Sequence, residues 1–240
     1  MNSPANWPKL LHLACAAGVL CSGVLVMEVR GADTPDTAPD RNRNNRSAAA
    51  NTQLPGADPD GGREEELVAL AQSPPRGLPP LVVPADNPLT SNKVRLGRKL
   101  FFDRRLSANG TMSCAMCHVP EQGFAHNEMQ TAVGIEGQAV RRNAPTILNV
   151  AYLRRLFHDG RENSLETQVW SPLLAANEMA NPSVGALIEK IAGLDDYNGL
   201  FEQAFGRGPG MESIGMALAS YQRVLLAADS PFDRWFFDAD

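Results

Sequence analysis

Cys114-Ala115-Met116-Cys117-His118 is the most informative motif of this sequence. C-x-x-C-H is the pattern by which a c-type haem is attached to a protein, since two thiols at this spacing can add to the two vinyl groups of one porphyrin. The histidine that follows is then held beside the iron as its proximal ligand. The pattern therefore predicts one covalent haem c, bound through Cys114 and Cys117, with His118 on the iron.

Two other kinds of site use closely spaced cysteines, and both fit this sequence less well. A closed zinc site needs four ligands, and the chain contains no second C-x-x-C pair and no pair of histidines at zinc-finger spacing. The other cysteines, Cys15 and Cys21, lie in an apolar N-terminal segment and could not easily complete such a site. A redox-active dithiol of the thioredoxin type needs a strand–helix–strand pattern nearby, which the sequence does not show.

Residues 10–29 form an almost wholly apolar stretch that follows Lys9. A basic residue before an apolar stretch is typical of a secretory signal peptide, and this stretch is also near the length of an N-terminal membrane anchor. Residues 1–31 are therefore predicted to be a signal peptide or an anchor, and either would place the rest of the chain outside the cytoplasm.

Residues 32–83 form a low-complexity stretch rich in proline, glycine and asparagine, with few large apolar side chains. Such a composition buries too little surface to repay the entropy of ordering, so a disordered linker is predicted, interrupted by one short helix over residues 63–72. The net charge of the chain is −5, which gives no basic field for nucleic acid.

Residues 84–240 are predicted to fold as one all-α domain of the cytochrome c type, with long loops and the haem as part of its core. No alternation typical of strands is present. The predicted helices run from Thr90 or Ser91 to Phe102, from a capping box at Asn163 and Glu166 through Leu173, from Val184 to Ile191 after an Asn181-Pro182 cap, from Asp196 to Ala204, and from Glu212 to Leu226.

From Leu96 to Asp233 the sequence resembles the N-terminal haem domain of bacterial di-haem cytochrome c peroxidases and their MauG-type relatives. One C-x-x-C-H motif is common to many cytochromes, but five matching strings in the same order are specific. These strings are LGRKLFFDRRLSANGTMSCAMCH (Leu96 to His118), RRNAPTILNVAY (Arg141 to Tyr152), FHDGRENSLETQ (Phe157 to Gln168), NEM (Asn177 to Met179) and SPFDRW (Ser230 to Trp235).

The resemblance implies that this haem is the site where hydrogen peroxide reacts. Gln168 and Glu178 match a distal glutamine and glutamate in identity and in their separation of ten residues. A carboxylate there can carry a proton from one peroxide oxygen to the other, and the amide can hydrogen-bond the substrate. Taken without the resemblance, Glu178 could instead cap a helix, and Gln168 could be an ordinary surface residue.

Three further residues acquire roles from the resemblance. Arg142 and Arg161 match basic positions that can pair with the haem propionates, although they could equally pair with surface acids. Asn143 matches a ligand of a calcium ion at the interface of the two haem domains, although an asparagine before Ala-Pro can also simply stabilise a turn.

The sequence departs from the family pattern in three places. The loop Gly134 to Gln138 lacks the histidine that closes the distal side in many members, and Ile135 or Glu136 stands in its place. His158 replaces a tryptophan that lies between the two haems. The second C-x-x-C-H domain, which takes in electrons, is missing from these 240 residues. We expect it in a continuation of the chain, or else on another polypeptide.

The sequence thus predicts a periplasmic c-type haem peroxidase, or a MauG-like oxidase that uses the same pocket. Its expected partners are hydrogen peroxide, the second haem domain, and a small cytochrome c or copper protein as electron donor. The alternative is a non-enzymatic electron carrier with one haem. A carrier needs a distal ligand, usually methionine, and Met179 is the first candidate.

Overall fold

The computed structural model describes residues 62–238, and this part of the chain is helical. Within these residues pairing of extended chain is limited to three isolated β-bridges, so the expected all-α class is confirmed. Among residues 62–238, none of the helices combines the length and the apolar character that a membrane span needs. The α-helices are α1 (Gly62–Gln72), α2 (Ser91–Phe102), α3 (Cys114–Cys117), α4 (Leu165–Gln168), α5 (Trp170–Leu174), α6 (Val184–Ala192), α7 (Leu200–Phe205), α8 (Met211–Arg223) and α9 (Pro231–Asp238).

Short 3₁₀ helices punctuate the loops between these elements. They span Arg104–Leu106, Pro120–Gln122, Ile135–Gly137, Val150–Tyr152 and Asp195–Tyr197. The signal or anchor predicted for residues 1–31, and the predicted linker up to residue 61, lie outside the described residues. The domain boundaries therefore stay predictions.

Helices α2 and α8 pack against each other at the centre of the fold. Leu100 on α2 and Ile214 on α8 are fully buried, and so are most of their apolar neighbours. The two backbones meet at Gly97, where an added Cβ would lie only 1.9 Å from the carbonyl oxygen of Ala217. Glycine is needed at this position because no other residue leaves room for the crossing. As the sequence predicts, Thr90 caps α2, its hydroxyl accepting a hydrogen bond from the Lys93 amide.

Helix α1 packs on α2 and contributes to the core. Val68 and Ala71 are buried there, and the buried carboxylate of Glu64 pairs with Arg98 at 3.3 Å. The short helix expected over residues 63–72 is thus present. This helix falls within residues 32–83, which the sequence predicts as a linker. That part of the predicted linker is therefore packed on the domain.

A buried polar network attaches α4 to α8. The carboxylate of Glu166 accepts hydrogen bonds from Arg223 at 2.5 and 3.0 Å, from Asn87 at 2.8 Å and from Ser164 at 2.8 Å. Burial alone would raise the pKa of Glu166, but these hydrogen bonds and the arginine charge lower it to about 2. Because α4 ends at Gln168, the network anchors the short helix that carries this residue.

Two predicted helix starts are wrong by one or two residues. Ser164, not Asn163, caps α4, and its hydroxyl accepts from the Glu166 amide. Ser183, not Asn181, caps α6. Asn181 is unavailable because its buried amide donates to two carbonyl oxygens, those of Leu106 at 2.6 Å and Leu173 at 2.9 Å.

Three predicted helices differ in extent, including the one whose start is corrected above. The run through Leu173 is divided into α4 and α5, which meet at Val169. The helix expected from Asp196 is a 3₁₀ turn followed by α7, which ends at Gly206 in the left-handed conformation. The last long helix ends at Arg223, three residues earlier than predicted, and the side chain of Arg223 forms the buried ion pair with Glu166.

Candidate active site

A cavity of about 570 Å³ opens between the α2–α8 core and the loops around α3, α4 and α5. Its volume lies within the range of about 300–1,000 Å³ that is typical of cofactor and small-molecule sites. All of the site residues expected from the sequence line this one cavity. They are Cys114, Cys117, His118, Arg142, Asn143, Arg161, Gln168 and Glu178.

The two thiols of the C-x-x-C-H motif lie on a single turn of helix. Helix α3 carries Cys114 at its start and Cys117 at its end, and both are free thiols that are half buried. Burial raises the pKa of Cys114 to about 12 and that of Cys117 to about 11. Reactive dithiols have lowered pKa values, so these buried, neutral thiols do not suit a dithiol switch.

The imidazole of His118 is held in one tautomer. Its Nδ1 lies 3.1 Å from the carbonyl oxygen of Phe124 and 3.0 Å from that of Pro145. Carbonyl oxygens only accept hydrogen bonds, so Nδ1 carries the proton and Nε2 keeps its lone pair. Burial lowers the pKa of His118, against the opposing effect of the two carbonyls, which favours the neutral ring. A neutral imidazole fixed in this way is prepared to bind a metal through Nε2.

These residues fit a covalent haem. The cavity offers two neutral thiols, a single-tautomer imidazole and mostly apolar walls such as Phe101 and Leu173. Four arginines at its mouth provide positive charge for a group that carries two carboxylates. They are Arg141, Arg142, Arg155 and Arg161.

Arg142 and Arg161 are both paired with Asp159. Their guanidinium groups donate to its carboxylate at 2.8 and 2.9 Å, and these hydrogen bonds lower the pKa of Asp159 to about 2. Pairing with a surface acid is the alternative raised by the sequence. Asp159 also lines the cavity, so it keeps both arginines at the mouth. Their contact with haem propionates stays a prediction.

Gln168 and Glu178 reach the cavity from neighbouring elements. Gln168 is the last residue of α4, and Glu178 lies in the turn after α5. Burial raises the pKa of Glu178, and the positive charge of Arg161 offsets part of this effect. A carboxyl group whose pKa is raised can both hold and release a proton, which is the property needed for acid–base chemistry.

The loop Gly134 to Gln138 holds the backbone that carries Glu178. The Ile135 amide donates to the carbonyl oxygen of Glu178 at 2.9 Å. A Cβ on Gly134 would lie 2.1 Å from the carbonyl oxygen of Asn177 and 2.9 Å from the Glu178 Cα. Neither Ile135 nor Glu136 lines the cavity, so the loop supports the turn of Glu178 from outside the cavity.

We expect Gly134→Ala to lower the free energy of unfolding by about 1–3 kcal/mol, because the added methyl group must push the Asn177–Glu178 backbone aside. Urea unfolding measures this. Gly185→Ala is the control, since a Cβ at that position in α6 would have its nearest contact at 3.8 Å and alanine favours helix. A Gly134→Ala protein as stable as the wild type would show that the close approach is not required.

His158 and Asn143 lie together at the edge of the cavity. His158 Nε2 is 3.0 Å from the carbonyl oxygen of Asn143, so Nε2 carries a proton. The Asn143 amide donates to the carbonyl oxygen of His126 at 2.6 Å, and its Oδ1 accepts from the Ala144 amide. Within residues 62–238 no group of three or more His, Cys, Asp or Glu residues could hold a metal ion. A calcium ion at Asn143 stays a prediction.

Sequence reasoning missed several cavity residues. Arg141 and Arg155 were not singled out, although arginines are unusually frequent between residues 141 and 161, and this frequency was the available signal. Phe157 carries no local signal that would mark it as a cavity residue. It adopts a φ of +63°, and the guanidinium of Arg161 lies 3.4 Å from its ring centroid. Met179 is buried and also lines the cavity, as the alternative function requires.

Comparison with known proteins gives a consistent result. Residues 91–240 match the family model described as di-haem cytochrome c peroxidase. The methylamine utilization protein MauG of Methylophilus methylotrophus is 42% identical over 153 residues, which is 63% of this chain and 45% of that protein. The cytochrome c peroxidase Ccp of Escherichia coli is 35% identical over 160 residues, covering 67% of this chain and 34% of the relative.

Among solved structures, a MauG-like protein associated with microbial copper homeostasis superimposes with a TM-score of 0.63 at 32% identity, covering 69% of this chain and 49% of that one. The chain therefore spans less than half the length of these relatives.

Proposed function

The chain belongs to the di-haem cytochrome c peroxidase family, and we propose that residues 84–240 form the haem domain in which hydrogen peroxide is reduced. The protein would act as a peroxidase or as a MauG-like oxidase. The main support for the proposal is that the C-x-x-C-H motif, Gln168 and Glu178 all line one cavity.

In this proposal the motif holds the cofactor. Cys114 and Cys117 would form the two thioether bonds, and His118 would hold the iron through Nε2, because its Nδ1–H donates to two carbonyl oxygens. The bound haem supplies the electrons that break the oxygen–oxygen bond of the peroxide. The arginines at the cavity mouth orient the group by pairing with its carboxylates.

Glu178 is proposed to move the proton. As a carboxylate it takes a proton from one oxygen of hydrogen peroxide, and as an acid it returns that proton to the other oxygen, which leaves as water. Its raised pKa keeps both forms within reach, and the charge of Arg161 limits the shift. Gln168 is proposed to orient the substrate by a hydrogen bond from its side-chain amide.

The wider setting is also proposed from the family. The protein would work in the periplasm and receive electrons through a second haem domain, with a small cytochrome c or copper protein as the donor. A calcium ion held in part by Asn143 would lie where the two haem domains meet. Its Oδ1 accepts one hydrogen bond from a backbone amide and keeps a second lone pair for such an ion.

One observation favours a second candidate, an electron carrier with a single haem. Met179 is 5% exposed and lines the same cavity next to Glu178. A thioether on the iron would close the position that peroxide needs. The two functions therefore differ in whether the distal position of the iron is open.

We expect the oxidised, haem-loaded protein to show a high-spin component and to bind cyanide readily, because the loop Gly134 to Gln138 places no side chain in the cavity. Absorption and EPR spectra measure this. A purely low-spin spectrum with a methionine-to-iron charge-transfer band, lost in Met179→Leu, would instead establish the carrier. His158→Phe is the control for ligation by that imidazole.

A further inference from the structure

The proximal histidine is held between two segments of chain, residues 123–126 and 143–146, which we call the proximal clamp. Each segment provides one carbonyl oxygen to His118 Nδ1–H, that of Phe124 at 3.1 Å and that of Pro145 at 3.0 Å. One N–H shared between two acceptors is sensitive to the position of both. The separation of the two segments therefore controls this contact.

Three hydrogen bonds join the two segments directly. The His126 amide donates to the carbonyl oxygen of Ala144 at 3.2 Å, and the Asn143 side-chain amide donates to the carbonyl oxygen of His126 at 2.6 Å. The Thr146 hydroxyl donates to the carbonyl oxygen of Gly123 at 2.5 Å. Two of these bonds come from side chains, and each lies within one or two residues of a carbonyl that accepts the hydrogen bond from His118 Nδ1–H.

The clamp is also connected to the mouth of the cavity. His158 Nε2 donates to the carbonyl oxygen of Asn143 at 3.0 Å, while the Asn143 side chain bonds the opposite segment. The Thr146 hydroxyl in addition accepts from the Leu148 amide at 3.1 Å, which fixes its orientation toward Gly123. These side chains are therefore organised around the carbonyl acceptors, although none of them contacts the His118 ring nitrogen.

We propose that Thr146 and Asn143 are positioning residues that set how strongly His118 binds the haem iron. Hydrogen bonds from Nδ1–H to fixed acceptors make an imidazole a more basic ligand, and a more basic ligand stabilises oxidised iron. By holding both carbonyl oxygens against Nδ1–H, the two side chains keep the reduction potential of the haem low. This inference rests on the proposed attachment of haem at Cys114 and Cys117.

Thr146→Val tests the proposal, because it removes the hydroxyl and keeps the shape. Thr146 is exposed in the cavity wall and contributes no core packing, so the fold should survive. We expect the reduction potential to rise and the iron–histidine stretching frequency of the reduced haem to fall. Thr146→Ser keeps the hydroxyl and should resemble the wild type. Thr111→Val, which loses only a hydroxyl bond to Asn109, is the control.

Spectroelectrochemistry and resonance Raman spectroscopy give the two readouts. A Thr146→Val protein that carries haem but shows neither shift would overturn the proposal, as would a Thr146→Ser protein that shifts equally. If Thr146→Val does not fold, Asn143→Ala measured in the presence of a calcium chelator carries the same expectation. A wild-type protein that never acquires haem would overturn the proposed function together with this inference, whereas haem attachment without either shift overturns the inference alone.

Discussion

Replacing both Cys114 and Cys117 with serine is expected to abolish covalent attachment of haem. Serine keeps the size of the side chain but cannot form the thioether, and both thiols line the cavity that would receive the porphyrin. The experiment is intact-protein mass spectrometry after periplasmic expression together with haem-attachment machinery. The wild-type protein should carry the mass of one haem, and the double variant should carry none.

Single replacements and a control within the motif make the test sharper. Cys114→Ser or Cys117→Ser alone should leave one thioether, which shifts the absorption bands because one vinyl group stays unsaturated. Met116→Leu changes a residue between the two cysteines that is 37% exposed, and it should load normally. If the wild-type protein carries no haem although the machinery is active, or if the double variant loads fully, the assignment of the motif is wrong.

The residues that lie close together in sequence were the ones that could be predicted. The spacing of Cys114 and Cys117 is itself the geometry of the site, because both fall on one helical turn. Gln168 and Glu178 are joined by α4, α5 and one turn, so a match over ten residues was enough to predict that both reach the cavity.

The contacts that support the site could not be predicted because they join distant parts of the chain. Glu166 is bound by Asn87 and Arg223, which lie 79 and 57 residues away. Gly134 has an ordinary backbone conformation with φ of −92°, so nothing in its local sequence shows that it packs against the turn of Glu178. Such glycines can be recognised only when the neighbouring backbone is known.

The errors in helix starts have two causes. Asn163 and Ser164 are both good N-cap residues, and local preference does not decide between neighbours. Ser164 caps α4 and also donates to the Glu166 carboxylate at 2.8 Å, so the buried network selects it. Asn181 does not cap α6, because its side-chain amide donates to two buried carbonyl oxygens instead. For Asn181 a tertiary hydrogen bond to Leu106 overrides the local signal, whereas at α4 a second local hydrogen bond distinguishes Ser164 from its neighbour.

Glu178→Gln is expected to slow the reaction of the haem-loaded protein with hydrogen peroxide by about 10²- to 10⁴-fold, the usual contribution of one acid–base group. Glutamine keeps the volume of the side chain but cannot exchange a proton. The measurement is the bimolecular rate of haem oxidation by peroxide in a stopped-flow instrument. Glu162→Gln is the control, because Glu162 is half buried in the neighbouring loop and does not line the cavity.

The pH dependence of this rate separates a catalytic role of Glu178 from a structural one. Burial raises the pKa of Glu178, so in the wild type the carboxylate is progressively protonated as the pH falls and can no longer accept the peroxide proton. The wild-type rate should therefore decline on the acid side, below this raised pKa. In Glu178→Gln the same decline should be absent, and the slow rate should not depend on pH there. If the substitution only disturbed the pocket, the variant would be slower but its rate would still decline at low pH. A folded variant that reacts as fast as the wild type would show that Glu178 is not the proton carrier.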